Sequence, residues 1–127
     1  MIGIDLVSIS RIQVSCERFG ERFLDRFLSP QEQTLCFKND KTPNYQRIAG
    51  FWAIKEAVSK ALGVGIGGEL GFLDITISKT PKGASKVALS EEKMQRFGIS
   101  EIAVSVTHDG GLAIAVVFVS SQPSFDI

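Results

Sequence analysis

The chain of 127 residues has one histidine, one tryptophan, one tyrosine and two cysteines. A lone imidazole without a cysteine cluster leaves nothing from which to build a transition-metal site. Cys16 and Cys36 stand in helix-like segments without metal-ligand spacing, so they read as reduced packing residues in a cytoplasmic protein. No apolar run reaches membrane-spanning length, and Met1-Ile2-Gly3-Ile4-Asp5 has no basic leader ahead of an apolar stretch. Neither a membrane span nor a secretory signal is therefore expected. Fourteen acids balance fourteen bases, so the net charge gives no pull toward nucleic acid. Repeats, low-complexity tracts and linkers are missing too. What remains is a single soluble domain with one core, expected over 1–119, followed by a polar tail over 120–127. The metal chemistry still open to it is a hard-ion site made of carboxylates.

Taken in order, Met1 to Val7 reads as a buried strand broken by one acid, Asp5. A carboxylate there costs several kcal/mol unless it is paired, cation-bound or turned to solvent at the strand end. Ser8 and Ser10 are helix-start residues, and a helical pattern runs from Arg11 to Leu28 with a weak point at Gly20. Phe19, Phe23 and Phe27 recur every four residues and should face the core. If the helix continues through Gly20, Arg11, Arg18, Arg22 and Arg26 share a side, beside Glu17, Glu21 and Asp25. A solvated charged face is one reading of that ridge, and a dock for an acidic protein is the other. Ser29, Pro30 and Glu32 form a capping-box start for a helix to about Phe37. A polar loop then leads to Asn44, which suits the cap of a long helix.

That helix contains Phe51-Trp52-Ala53-Ile54-Lys55-Glu56-Ala57-Val58-Ser59-Lys60-Ala61-Leu62. Phe51, Ile54, Val58, Ala61 and Leu62 share a core-seeking face. Nearly opposite, Glu56 and Lys60 stand one turn apart, flanked by Ala53 and Ala57, which leave room for close approach. As an exposed ion pair, Glu56 and Lys60 would contribute about 0.2–0.5 kcal/mol. The glycines at 63, 65, 67 and 68 either stop the helix or turn backbone N–H groups onto an anion. The stretch is neither a Walker A loop nor a dinucleotide fingerprint. Beyond it Leu73, Ile75 and Ile77 alternate as a strand. A turn at Thr80 to Gly83 leads to a short return strand over Val87 to Leu89, and Ser90 starts a short helix ending near Gly98. Two further alternating strands make a hairpin with His108 at its mouth. Strand, helices, then antiparallel strands with one helix inserted give an α+β class: an antiparallel sheet with a long central helix and several shorter ones.

Asp5 and Glu56 could each give one carboxylate to Mg²⁺, with phosphate and water completing the shell. The residues alone stop at that point, without a reaction. The assembly Gly3-Ile4-Asp5, Trp52-Ala53-Ile54-Lys55-Glu56-Ala57-Val58-Ser59-Lys60, Gly63-Val64-Gly65-Ile66-Gly67 and Val104-Ser105-Val106-Thr107-His108 resembles the holo-acyl-carrier-protein synthases. These are small bacterial 4′-phosphopantetheinyl transferases.

The resemblance implies that fold, and transfer of 4′-phosphopantetheine from coenzyme A to a serine of acyl carrier protein in support of fatty acid biosynthesis. It implies Asp5 and Glu56 as Mg²⁺ ligands, Glu56 as activator of the serine, directly or through water, and Lys60 beside the departing phosphate. It places His108, Gly63, Gly65, Gly67 and Gly83 along the coenzyme A cleft, and Arg11 on the carrier-docking helix, a purpose that suits Arg18 and Arg22 as well. It also implies a homotrimer with sites at subunit boundaries, in which Asp5 and Glu56 need not share a site with the same chain's Arg11. The family commonly has a basic residue where this chain has Phe51, and Arg47 one turn earlier could take that place. Asp109 and Leu112 also depart from the common pattern. The competing reading is a non-catalytic module that binds coenzyme A or an acidic protein through the glycine loop and the arginine ridge.

Overall fold

In the computed structural model, which describes residues 1–123, the chain wraps an α+β fold around the helix Tyr45–Leu62. The first strand, β1 (Ile2–Ser8), feeds α1 (Ile9–Phe19), whose start is capped by the Ser8 hydroxyl. Gly20 ends α1 with φ 57°, a left-handed conformation that glycine adopts without a Cβ penalty, and α2 (Glu21–Phe27) sets off on a new course. The continuous arginine ridge expected across Gly20 is therefore not formed. The break also turns Phe19 outward, half exposed, while Phe23 and Phe27 are buried as expected.

The Ser29–Glu32 capping box opens α3 (Pro30–Leu35), which stops before Phe37. Asn44 caps α4 (Tyr45–Leu62) through its side-chain oxygen, and Gly63 closes it in the left-handed region. Leu73 lies exposed in a 3₁₀ turn over Phe72–Asp74, so the strand expected from Leu73 begins only at Ile75. Strands β2 (Ile75–Lys79) and β3 (Ser85–Leu89) pair antiparallel, and α5 (Glu91–Arg96) follows. The closing hairpin is β4 (Ile99–Asp109) and β5 (Leu112–Ser121). Ser120 and Ser121 complete β5, and the Gln122 N–H donates to the Gly98 carbonyl, so the polar tail does not begin at 120. Its residues 124–127 lie outside the described part.

The expected antiparallel strands are arranged as a three-stranded sheet in the order β1-β5-β4 and the β2-β3 ribbon. Helix α4 crosses the inner face of the larger sheet and is buried on most of its circumference, not on one stripe. Gly3 of β1 lies directly under its alanines. A Cβ at Gly3 would run into the Ala57 carbonyl and come within 2.7 Å of the Ala61 nitrogen. The close approach expected at Ala57 is thus used by the protein's own strand.

On the other side of α4, Phe23, Phe27, Trp52 and Phe72 pack with ring centres 4.9–6.0 Å apart, at tilted, edge and stacked angles. Beside them Lys55 is completely buried. Its ammonium donates to the Phe27 carbonyl at 2.6 Å, to Glu32 Oε1 at 2.8 Å and to the Phe72 carbonyl at 3.1 Å. Glu32 in turn accepts from the Ser29 and Ile77 N–H groups. Every hydrogen of the ammonium has an acceptor, as a buried charge requires. Both cysteines are free thiols, as expected. Burial pushes Cys16 up to about 11 and Cys36 up to about 12, so both stay protonated and unreactive at neutral pH.

Candidate active site

Asp5 sits in mid-strand on the inner face of β1, opposite Ala115 of β5, and its side chain is largely covered. Lys60 resolves the cost of that placement by donating to Asp5 Oδ1 at 2.7 Å. Solvent exposure at a strand end, one of the sequence readings, is excluded. So is the simple helical ion pair, because Lys60 bonds Asp5 and not Glu56. Glu56 emerges from the same flank of α4, half-buried. Desolvation first, and then the Asp5 charge, raise its carboxyl above the ordinary glutamate value, with Lys60 opposing. The bond to Asp5 in turn holds Lys60 above the ordinary lysine value.

A cavity of about 320 Å³ opens here, with Asp5, Arg11 and Glu56 facing an apolar wall of Ile12, Phe23 and Trp52. Arg11 therefore shares this cavity with the two acids of its own chain. Among the described residues no three His, Cys, Asp or Glu side chains come together. Two carboxylates are too few for an all-protein cage. They do suit Mg²⁺, which prefers oxygen donors and takes its remaining positions from substrate phosphates and water.

The other flank of α4 carries a different chemistry. A recess of about 160 Å³ is lined by Asn44, Gln46, Arg47, Phe51, Lys79 and His108, among others. Arg47 Nη1 donates to the Leu35 carbonyl at 3.0 Å, and His108 Nε2 lies 3.1 Å from the Gln46 carbonyl oxygen. A carbonyl can only accept, so Nε2 carries the proton. Gly83 borders an adjoining cleft of about 310 Å³ that shares Lys79, Val106 and His108 with the recess. Arg47 and Gly83 thus border two adjoining clefts, and His108 lines both.

Gly63, Gly65 and Gly67 border neither. Their N–H groups bond the carbonyls of Lys60, Ser59 and Leu70, so these three donors are already occupied and the stretch serves as a helix stop. The three candidate docking arginines are also dispersed. Arg11 lines the acid cavity, and the Arg18 guanidinium lies 5.2 Å from the Phe19 ring centre. Arg22 joins Phe19, Phe23 and Arg26 around a separate groove that meets the acid cavity at Phe23.

Phe51 and Glu56 are five residues apart, about 140° around a helix. Accordingly the acid cavity and the cationic recess share no residue and lie on opposite flanks of α4.

The family model of the 4′-phosphopantetheinyl transferase superfamily matches residues 1–117. The chain belongs to this superfamily. The transferase is 59% identical over 122 residues to a holo-[acyl-carrier-protein] synthase of Helicobacter pylori, covering 96% of this chain and 98% of that one. It is 52% identical to the synthase of Sulfurimonas denitrificans, with 95% of each covered. Among solved structures it is similar to the Helicobacter pylori synthase in complex with coenzyme A, at 58% identity and a TM-score of 0.87, covering 94% of this chain and all of that one. The Neisseria meningitidis synthase has the same fold at 28% identity and a TM-score of 0.83, with 94% and 97% covered. The resemblance read from the central motif and the α+β class both hold.

Sequence reasoning missed two basic residues of this transferase. Lys55 is an ordinary polar position in the helical pattern, and only its depth reveals the pair with Glu32. Lys79 ends β2 with no local motif to mark it, and only the fold carries it to the recess beside Arg47.

Proposed function

We propose that this transferase moves 4′-phosphopantetheine from coenzyme A to a serine of apo-acyl carrier protein and releases adenosine 3′,5′-bisphosphate, with Mg²⁺ required. The observation that carries the reading is the convergence of Asp5, Glu56 and Lys60 on one flank of α4. Its support from relatives is the similarity to synthases of that name, one of them solved with coenzyme A.

Asp5 and Glu56 would hold Mg²⁺, which when bound offsets negative charge on the pyrophosphate. Glu56, raised above the ordinary glutamate value, is a stronger proton acceptor than a surface carboxylate. It takes the proton of the serine hydroxyl, directly or through water, as the serine oxygen bonds to phosphorus. The bond from that phosphorus to the bridging oxygen breaks, and the electron pair leaves with the bisphosphate. Lys60, kept protonated by Asp5, is placed beside the charge that develops there. Arg11 stands at the same cavity and would meet an acidic carrier arriving over α1, with Arg18 and Arg22 farther along.

The working unit is a homotrimer. Two half-sites on opposite flanks of α4 are matched by a ring in which one protomer's acids face its neighbour's recess. The outer face of the larger sheet supports such packing, since Ile2 (68% exposed), Ile4, Leu6 and Phe118 (54% exposed) lie bare there. No helix among the described residues is long and apolar enough to cross a membrane. The setting proposed is the cytoplasm, where the holo-carrier serves fatty acid biosynthesis.

The test is incubation with coenzyme A, Mg²⁺ and apo-carrier protein. A mass gain of one phosphopantetheine arm on the carrier is expected, lost in Glu56→Ala and in Asp5→Ala variants that remain folded. Tight binding without that gain would make the protein a binding module instead.

A further inference from the structure

Lys55 anchors the turn of α4 that carries Glu56, and its bonds reach well beyond that helix. The ammonium holds the Phe27 carbonyl at the end of α2, Glu32 Oε1 in α3 and the Phe72 carbonyl in the 3₁₀ turn. Glu32 Oε2 accepts from the Ile77 N–H at 2.7 Å, which adds β2 to the set. The two side chains are 0% and 1% exposed. Stability does not account for such a pair. Apolar residues of similar volume in place of a buried ion pair often leave a protein as stable or more so. What charge-assisted hydrogen bonds add is fixed length and direction.

The same bonds lie directly behind the wall of the acid cavity. Trp52 and Phe23 line that cavity together with Glu56. The Trp52 ring packs on Phe27 and Phe72 with centres 5.0 Å and 4.9 Å away, and Phe23 packs on Phe27 at 5.0 Å. Phe27 and Phe72, which back the wall, are the residues whose carbonyls Lys55 holds. Trp52 and Glu56 stand one helical turn apart and share a face of α4, with Lys55 about 100° around from Glu56. Fixing Lys55 therefore fixes the rotation of α4 at Glu56. Through Phe27 and Phe72 it also fixes the indole beside that carboxylate.

We propose that Lys55, through its pair with Glu32, is a positioning residue that sets Glu56 against the Trp52 wall of the acid cavity. The part given to Glu56 rests on the function proposed above. Lys55 is too deep to touch a substrate, so it acts only through the groups it holds. A misplacement of about 1 Å at a reacting group can cost about a hundredfold in rate.

The double variant Lys55→Met with Glu32→Gln tests this, because it leaves no bare charge in the core and keeps the side-chain volumes similar. Its transfer kinetics are compared with wild type where urea titration shows both folded, beside acrylamide quenching of Trp52, the chain's one tryptophan. We expect kcat to fall about ten- to a hundredfold, KM for coenzyme A to stay in place, and Trp52 to be quenched more readily. A merely structural role predicts wild-type kcat once the protein is folded. That result overturns the proposal, as does a loss carried by KM alone. Glu32→Asp keeps both charges but shortens the acid arm, so it serves if the double variant does not fold: a lower kcat at unchanged KM is expected, and wild-type kcat overturns the proposal. If wild type transfers nothing, the proposed reaction fails by itself and the quenching decides the role of Lys55. Wild-type accessibility of Trp52 in the folded variant then overturns it.

Discussion

Lys60 reaches past Glu56, its neighbour one helical turn earlier, and bonds Asp5 Oδ1 at 2.7 Å across the gap between α4 and β1. Glu56 is left without the cation and within the field of the second acid, which adds to desolvation in raising its carboxyl. The arrangement separates roles among three charges: Asp5 fixes the lysine, and the unpaired Glu56 is the group able to take a proton.

A titration follows from that geometry. Asp5→Asn removes the charge that raises Glu56 and frees Lys60 to approach it, and both changes favour the carboxylate. The Glu56 midpoint, followed by carbon NMR, should therefore lie above the ordinary glutamate value in wild type and move down in Asp5→Asn. In wild type the transfer rate should fall as pH drops through that raised midpoint, because protonated Glu56 cannot act as base. A midpoint that stays or rises in Asp5→Asn would show that Asp5 is not acting on Glu56.

Gly3 offers a separate test of how Asp5 is placed. A Cβ at position 3 meets backbone of α4 at Ala57 and Ala61, and backbone cannot swing aside as a side chain can. Gly3→Ala should lower stability by about 1–3 kcal/mol, a typical cost of overpacking. Because Asp5 follows two residues later on the same face, β1 would also draw the carboxylate away from Lys60. Urea unfolding reads the first effect, and loss of transfer in still-folded protein reads the second. A fully stable, fully active variant would mean that β1 does not need this contact.

The helix and its motif were legible in the chain because caps and periodicity are local: Ser8, Ser29, Asn44 and Ser90 all cap where the sequence placed them. The Asp5–Glu56 convergence needed the resemblance, since the two acids are far apart in the chain and only strand packing unites them. Gly20 could be read as a weak point but not as a complete stop, because its left-handed φ is a tertiary outcome. On the larger sheet, Ile114, Val116 and Phe118 alternate visibly, yet Ala113, Ala115, Val117 and Val119 are the buried set. The small side chains face in because α4 lies so close, and the larger ones remain for the outside.

The Lys55–Glu32 pair should behave as a buried couple. Lys55→Met strands the Glu32 carboxylate and should cost about 3–5 kcal/mol. In the double variant Lys55→Met with Glu32→Gln no bare charge is left, so part of the loss should return. A double-mutant cycle in urea measures the coupling. Simple additivity of the two single losses would show that the pair is not a unit.

The outer face of the larger sheet carries the last prediction. Ile2, Ile4 and Leu6 of β1 stand in register with Phe118, Val116 and Ile114 of β5, giving three apolar cross-strand pairs turned away from the core. Burying such a band against neighbouring copies removes apolar surface from water, whereas a carboxylate in its middle would have to be desolvated. Val116→Asp sits at the centre, is already partly exposed, and leaves every residue of the acid cavity and the recess unchanged. Sedimentation should give about three chains per particle for wild type and one for Val116→Asp. Transfer should be lost with assembly, since each protomer then holds two half-sites that face away from each other. Retained assembly and activity in this variant would locate the subunit contact elsewhere, and a monomer with full activity would mean that one chain builds the whole site alone.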